Sequence, residues 1–107
     1  MLRLMYVSTA TAEMNDAEIP RILESATRNN TASDIRGALM FNGVNFAQIL
    51  EGETDKVEAL METLKADPRH MGIVIIGRVE VDDYRFDDWT MRLIEGLNFD
   101  PLFQAMV

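Results

Sequence analysis

Two apolar runs, residues 35–41 and 44–50, are separated by Asn42-Gly43, and that dipeptide constrains the fold more than any other feature. Asn-Gly readily takes the two positive φ values of a type I′ turn, whose twist matches that of paired strands. The runs are therefore expected to form an antiparallel hairpin. Residues 2–8 alternate, with Leu2, Leu4, Tyr6 and Ser8 on one side and Arg3, Met5 and Val7 on the other, as in a strand covered on at least one face. Between this strand and the hairpin, Ile19, Ile22, Leu23 and Ala26 recur at helical spacing. Asn15 or Asp16 is positioned to cap that helix with Glu18 as capping-box partner, Pro20 falls in its first turn, and Asn29-Asn30 marks its expected end.

The second half repeats the pattern. Asp55 and Glu58 make another capping box before Val57, Leu60, Met61 and Leu64, and the helix should stop before Asp67-Pro68. Residues 73–81 are continuous and β-branched, which predicts a central strand, and 89–94 form a shorter strand after the acidic turn 82–88. The order βαββαββ fits an α+β, ferredoxin-like fold: one mixed five-stranded sheet with both helices on one face, because right-handed crossovers put them there. Residues 1–97 read as the folded domain. Residues 98–107, with Phe99, Leu102, Phe103, Met106 and Val107, are apolar for a chain end, and are expected to dock on the open sheet face or to lead into a further segment of a longer protein.

Composition narrows the chemistry. A net charge of −8 repels phosphate backbones, so nucleic acid is the wrong partner. No apolar run is long enough to span a membrane, no signal peptide is recognisable, and a cytoplasmic setting is expected. With no cysteine and one histidine, His70, neither a thiolate site nor a tight metal cluster can be assembled. A Ser-His-Asp triad would need His70 beside Ser8, Ser25 or Ser33, none of which lies in a nucleophile elbow.

What remains is a set of polar side chains at positions a packed core would fill with apolar ones. Tyr6 shares a face with Leu2 and Leu4, and its hydroxyl must find a partner there. Gln48 shares its face with Val44, Phe46 and Leu50, where an unbonded amide costs on the order of 1–3 kcal/mol. Asn30 either faces the same region or is the left-handed residue that ends its helix. In a ferredoxin-like fold these three neighbour one another between helices and sheet. They are either satisfied core residues or the lining of one polar pocket suited to a planar redox ring.

Six blocks then carry a resemblance: Tyr6-Val7-Ser8, Arg28-Asn29-Asn30, Ile35-Arg36-Gly37-Ala38-Leu39, Phe46-Ala47-Gln48-Ile49-Leu50-Glu51-Gly52, Asp67-Pro68-Arg69-His70, and Arg85-Phe86 with Trp89-Thr90-Met91. From Leu2 to Ile94 the chain resembles BLUF domains, blue-light sensors that use FAD. The resemblance implies a non-covalently bound isoalloxazine ring between the helices, with Asn30 on its pyrimidine edge and Gln48 bridging toward Tyr6. It implies Tyr6 as photochemical donor of an electron and a proton, and Gln48 as the group left rotated or tautomerised. Ile22, Leu39, Phe46 and Leu64 would wall the ring, with Asn29, Asp67, Arg69 and His70 around its edge and ribityl chain. Trp89 and Met91 would exchange places to signal through the fifth strand. Ala26 stands where the family often has a serine, with Ser25 one place earlier. FMN or riboflavin would be substitutes for FAD, and a homodimer through the open sheet face or the tail, coupled to a downstream effector, is the expected assembly.

The resemblance makes the chain a receptor and not an enzyme. The alternative is a light-independent ferredoxin-like binding or dimerisation module, which predicts association without flavin dependence. An acylphosphatase-type hydrolase would need an arginine and an asparagine after the first strand, and residues 8–14 contain neither.

Overall fold

A computed structural model describes residues 1–15, 17–86, 92–94 and 98–106. Its elements are β1 (Leu2–Ala10), α1 (Glu18–Ser33), β2 (Arg36–Phe41), β3 (Asn45–Gly52), α2 (Thr54–Lys65), β4 (His70–Glu80), β5 (Arg92–Leu93) and α3 (Asp100–Ala105). Four strands pair antiparallel in the order β4-β1-β3-β2, and the two residues of β5 run parallel to β2 at its outer edge. Of the expected strand 89–94, residues 89–91 lie outside the described residues.

The hairpin forms as expected, with Arg36 opposite Glu51 and Phe41 opposite Phe46. Its turn is built differently. Gly43 alone has positive φ, at 96°, while the Asn42 side chain accepts hydrogen bonds from the N–H groups of Val44 (3.0 Å) and Asn45 (2.8 Å). Asn42 contributes its carbonyl and not a left-handed backbone. Val44 is therefore 61% exposed in the turn and does not share the buried face of Gln48.

Both helix-start readings shift. Asn15, two residues ahead of the N-cap, accepts from the N–H of Ala17 at 3.0 Å, and Asp16 lies outside the described residues. Neither predicted capping box forms: Ala17 and Glu53 are the N-caps and make no side-chain cap bonds. Glu18 instead pairs with Arg21 and Glu58 with Arg78 of β4. At its far end α1 continues past Asn30 to Ser33, and the left-handed residue is Asp34 (φ 54°). Asn30 is thus a helical residue that faces inward.

The helices α1 and α2 cover one face of the sheet. There Leu2, Leu4 and Tyr6 of β1, Leu39, Phe46, Leu50, Val57 and Met61 pack together, with Ile22, Leu23 and Leu64 against them. The opposite face carries Met5, Ala38, Met40, Ala47 and Ile49 beneath α3, whose Leu102 is fully buried. The apolar tail therefore docks on the sheet, as a short helix that starts at Asp100-Pro101. One expectation fails outright. β4 lies at the edge of the sheet and leaves Met71, Val74, Ile75, Ile76 and Val79 exposed, although its β-branched run reads as a central strand. Among the described residues no helix is long and apolar enough to cross a membrane.

Candidate cofactor site

A cavity of about 150 Å³ lies between the two helices and the sheet. Helical spacing explains its walls: residues 22, 25, 26 and 29 of α1 fall on one stripe, and residues 60, 63 and 64 of α2 face them. Tyr6 of β1, Leu39 of β2, Phe46 and Gln48 of β3, Ile22, Asn29 and Asn30 of α1, Leu64 of α2, and Asp67, Arg69 and His70 after it all line this one space. Ser25, Ala26, Leu60 and Thr63 line it too. Leu60 and Thr63 are legible only as further members of the α2 stripe, while Ala26 marks the position where the family often has a serine and Ser25 precedes it.

Tyr6 and Gln48 are directly opposed across β1 and β3. The Tyr6 hydroxyl donates to Gln48 Oε1 at 2.5 Å. Burial first, and the Asp67 carboxylate second, push the phenol well above its ordinary pKa. Tyr6 is therefore a neutral donor at physiological pH, and its O–H fixes which end of the glutamine amide points toward it.

Asn30 supplies the clearest sign of a missing partner. It is 2% exposed, and among the described residues its Nδ2 is the one buried side-chain polar atom with no hydrogen-bond partner. An unsatisfied buried N–H costs on the order of 1–3 kcal/mol, and such exceptions call for an explanation. A ligand carbonyl in the cavity would remove the penalty. The pyrimidine edge of a flavin, with its carbonyl and amide groups, suits a wall that offers an asparagine donor and a glutamine amide among apolar side chains.

His70 is buried at the first residue of β4 and not in a loop as its sequence neighbours suggest. Its Nε2 lies 2.6 Å from the carbonyl oxygen of Leu64, which can only accept, so Nε2 carries a proton. In the neutral ring Nδ1 then accepts from the Ser8 hydroxyl at 2.7 Å. The serine-histidine proximity required for a triad is thus present. Ser8 is only 2% exposed, however, and the second histidine nitrogen is spent on a backbone carbonyl, so the pair ties α2 to β1. At the cavity mouth Asp67 and Arg69 make a forked ion pair at 2.7–3.2 Å. Hydrogen bonding to Arg69 holds the Asp67 carboxyl below its usual range, and the same bonds raise Arg69. No group of three or more potential metal ligands exists among the described residues. Trp89 and Met91, the expected output pair, lie outside the described residues.

Comparison with known proteins agrees with this geometry. A family model described as "Sensors of blue-light using FAD" matches residues 1–92. The photoactivated adenylate cyclase subunit beta of Euglena longa is 32% identical over 89 residues, which cover 82% of this chain and 10% of that protein. The blue light- and temperature-regulated antirepressor BluF of Escherichia coli (strain K12) is 37% identical over 71 residues, covering 66% of this chain and 18% of that protein. The chain thus spans less than a fifth of the length of either curated relative. The dark-state structure of BlrB, a BLUF protein, superposes with a TM-score of 0.83 at 32% identity, covering 88% of this chain and 71% of that one. Fold, cavity and sequence converge on one conclusion: the chain belongs to the BLUF family of blue-light sensors that use FAD.

Proposed function

We propose that the cavity holds the isoalloxazine ring of FAD and that Tyr6 and Gln48 are its photochemical partners. The orphaned Nδ2 of Asn30 carries this reading, because a flavin carbonyl would satisfy it. FAD, once bound, supplies blue-light absorption and an electron acceptor. Tyr6 would be the residue that lends an electron and its phenolic proton to the ring and takes both back, with no net redox change. Gln48, freed from the Tyr6 O–H, turns or tautomerises and so changes what it offers the ring. Ile22, Leu39, Phe46 and Leu64 exclude water, Asn30 orients the ring, and Asn29, Asp67, Arg69 and His70 surround its edge and ribityl chain. FMN or riboflavin could serve in place of FAD on this reading, since the ring is what the cavity grips.

Trp89 and Met91 are the proposed output residues, within a fifth strand 89–94 that would complete a mixed, ferredoxin-like sheet. The unit acts as a sensor without turnover in a cytoplasmic protein. A homodimer through the exposed apolar residues of β4 and Phe103 suits their 40–62% exposure. The cyclase and antirepressor relatives suggest that such a domain controls a separate effector.

The test is a light-minus-dark absorption spectrum of the FAD-loaded chain and two variants. The wild type should shift red under blue light and recover in darkness. Tyr6→Phe should bind flavin without the shift, because the ring survives and the donor does not. Gln48→Leu should fold at least as well, having lost a buried amide, and also lack the shift. An intact shift in Tyr6→Phe would overturn the assignment.

A further inference from the structure

Glu51 takes no part in the cavity, yet its side chain is fully buried. It sits on the α3 face of β3, level with Arg3 of β1 and Arg36 of β2. Its Oε2 accepts from Arg3 Nε at 2.7 Å. Its Oε1 accepts from two consecutive backbone N–H groups, those of Arg85 (2.9 Å) and Phe86 (3.0 Å), and the Arg85 N–H also lies 3.1 Å from Oε2. A carboxylate this dry persists only when its lone pairs are filled by a cation and by amide donors, and charge-assisted bonds of this kind are stiff.

The segment 84–86 is tied down by further contacts at Tyr84 and Phe86. Arg36 Nη1 donates to the Phe86 carbonyl at 3.2 Å, and the Arg36 guanidinium lies 3.8 Å from the centre of the Tyr84 ring. The Tyr84 hydroxyl donates to the backbone carbonyl of Asp34 at 2.6 Å. Both lines of attachment lead back to the cavity. Glu51 and Gln48 share β3, while Asp34 caps the helix that carries Asn30. Residues 84–86 are thus fastened to β3, which carries Gln48, and to the end of α1, which carries Asn30, immediately before the chain enters 87–91.

We propose that Glu51 is a positioning residue for signal output: by gripping the 85–86 amides it sets where the segment bearing Trp89 and Met91 begins, so that a change on β3 is passed to it. This rests on the assignment of that segment as output. Arg36 and Tyr84 form a second tie from the end of α1.

The experiment compares FAD-loaded wild type, Glu51→Leu, Glu51→Gln and Tyr84→Phe by light-induced shift, dark-recovery rate and hydrogen exchange at the Arg85 and Phe86 amides. The shift should keep its wild-type amplitude in all three variants, since Tyr6 and Gln48 are untouched. Amide exchange should quicken, and recovery should change by about fivefold or more in Glu51→Leu, the lower end of ordinary site-to-site coupling. Glu51→Gln, which keeps an oxygen for the amides, should fall between Glu51→Leu and wild type, and Tyr84→Phe should move recovery in the same direction by less. Should Glu51→Leu fail to fold, the other two carry the test. Faster exchange with recovery within about twofold of wild type overturns the proposal, because the grip would then carry no signal. Loss of the shift in Glu51→Gln overturns it too, by placing Glu51 in the photochemistry itself. A wild type without any shift would overturn the receptor reading along with it.

Discussion

The two faces of the sheet treat their buried polar groups in opposite ways. On the helix-covered face Asn30 keeps its Nδ2 without a partner beside a cavity, while the Tyr6 hydroxyl bonds Gln48 across adjacent strands. On the α3 face Glu51 is buried more completely and is filled by an arginine and two backbone amides. A buried donor left open is an instability that a ligand removes, and a buried charge fully bonded is a fixture. One face is built to receive something and the other to hold the chain still.

That contrast can be broken from both sides at once at Gly37. A Cβ there would lie 1.9 Å from the Ile49 carbonyl oxygen, so Gly37→Ala must part β2 from β3. We expect a loss above about 4 kcal/mol, or no folded protein, by chemical denaturation. The faces are separated next. Leu102→Ala empties the core beneath α3 and should cost about 2–4 kcal/mol in the same measurement, while FAD affinity measured by fluorescence titration stays unchanged. A parallel fall in affinity would show that the faces are not independent.

Asn30→Leu sharpens the claim for the receiving face. The apo protein should be equally or more stable, because an unsatisfied amide has gone, while FAD binding weakens by about tenfold, the worth of one hydrogen bond of about 1.4 kcal/mol. The smallest effect is electrostatic. Hydrogen bonding to Arg69 depresses the Asp67 pKa in the folded state, so its contribution is complete above the unfolded carboxyl value and lost as pH falls through the folded one. Partial exposure of the pair holds it to about 0.5 kcal/mol. Stability measured from neutral pH to below about pH 4 should therefore fall slightly less in Asp67→Asn than in wild type.

Much of the receiving face is legible in sequence because strand alternation and helical spacing both point into it. Alternation in residues 2–8 places Tyr6 inward and the pairing of β1 with β3 sets Gln48 opposite it, while the other cavity-lining residues are named by the family resemblance and not by patterning. Asn30 is read less well. Helix ends are decided by one residue's left-handed backbone, and Asp34 takes that role where Asn29-Asn30 looks equally able. The edge position of β4 is illegible for a different reason: a β-branched run signals a pleated strand, and nothing local says how many neighbours it has. Glu51 stands out only once register is known. The Asn42-Gly43 hairpin sets it level with Arg36, so an acid between basic residues was within reach, but the two amides it binds come from 34 and 35 residues away. The helix at the tail carries its own start signal in Asp100-Pro101, masked by the apolar residues around it.

The Asn30 side chain is where a buried donor stands open to the cavity. Its side-chain N–H resonances can be followed by NMR as FAD is added in the dark. A downfield shift with slowed exchange, saturating together with flavin binding, is the predicted result. Flavin binding that leaves those resonances unmoved would contradict it.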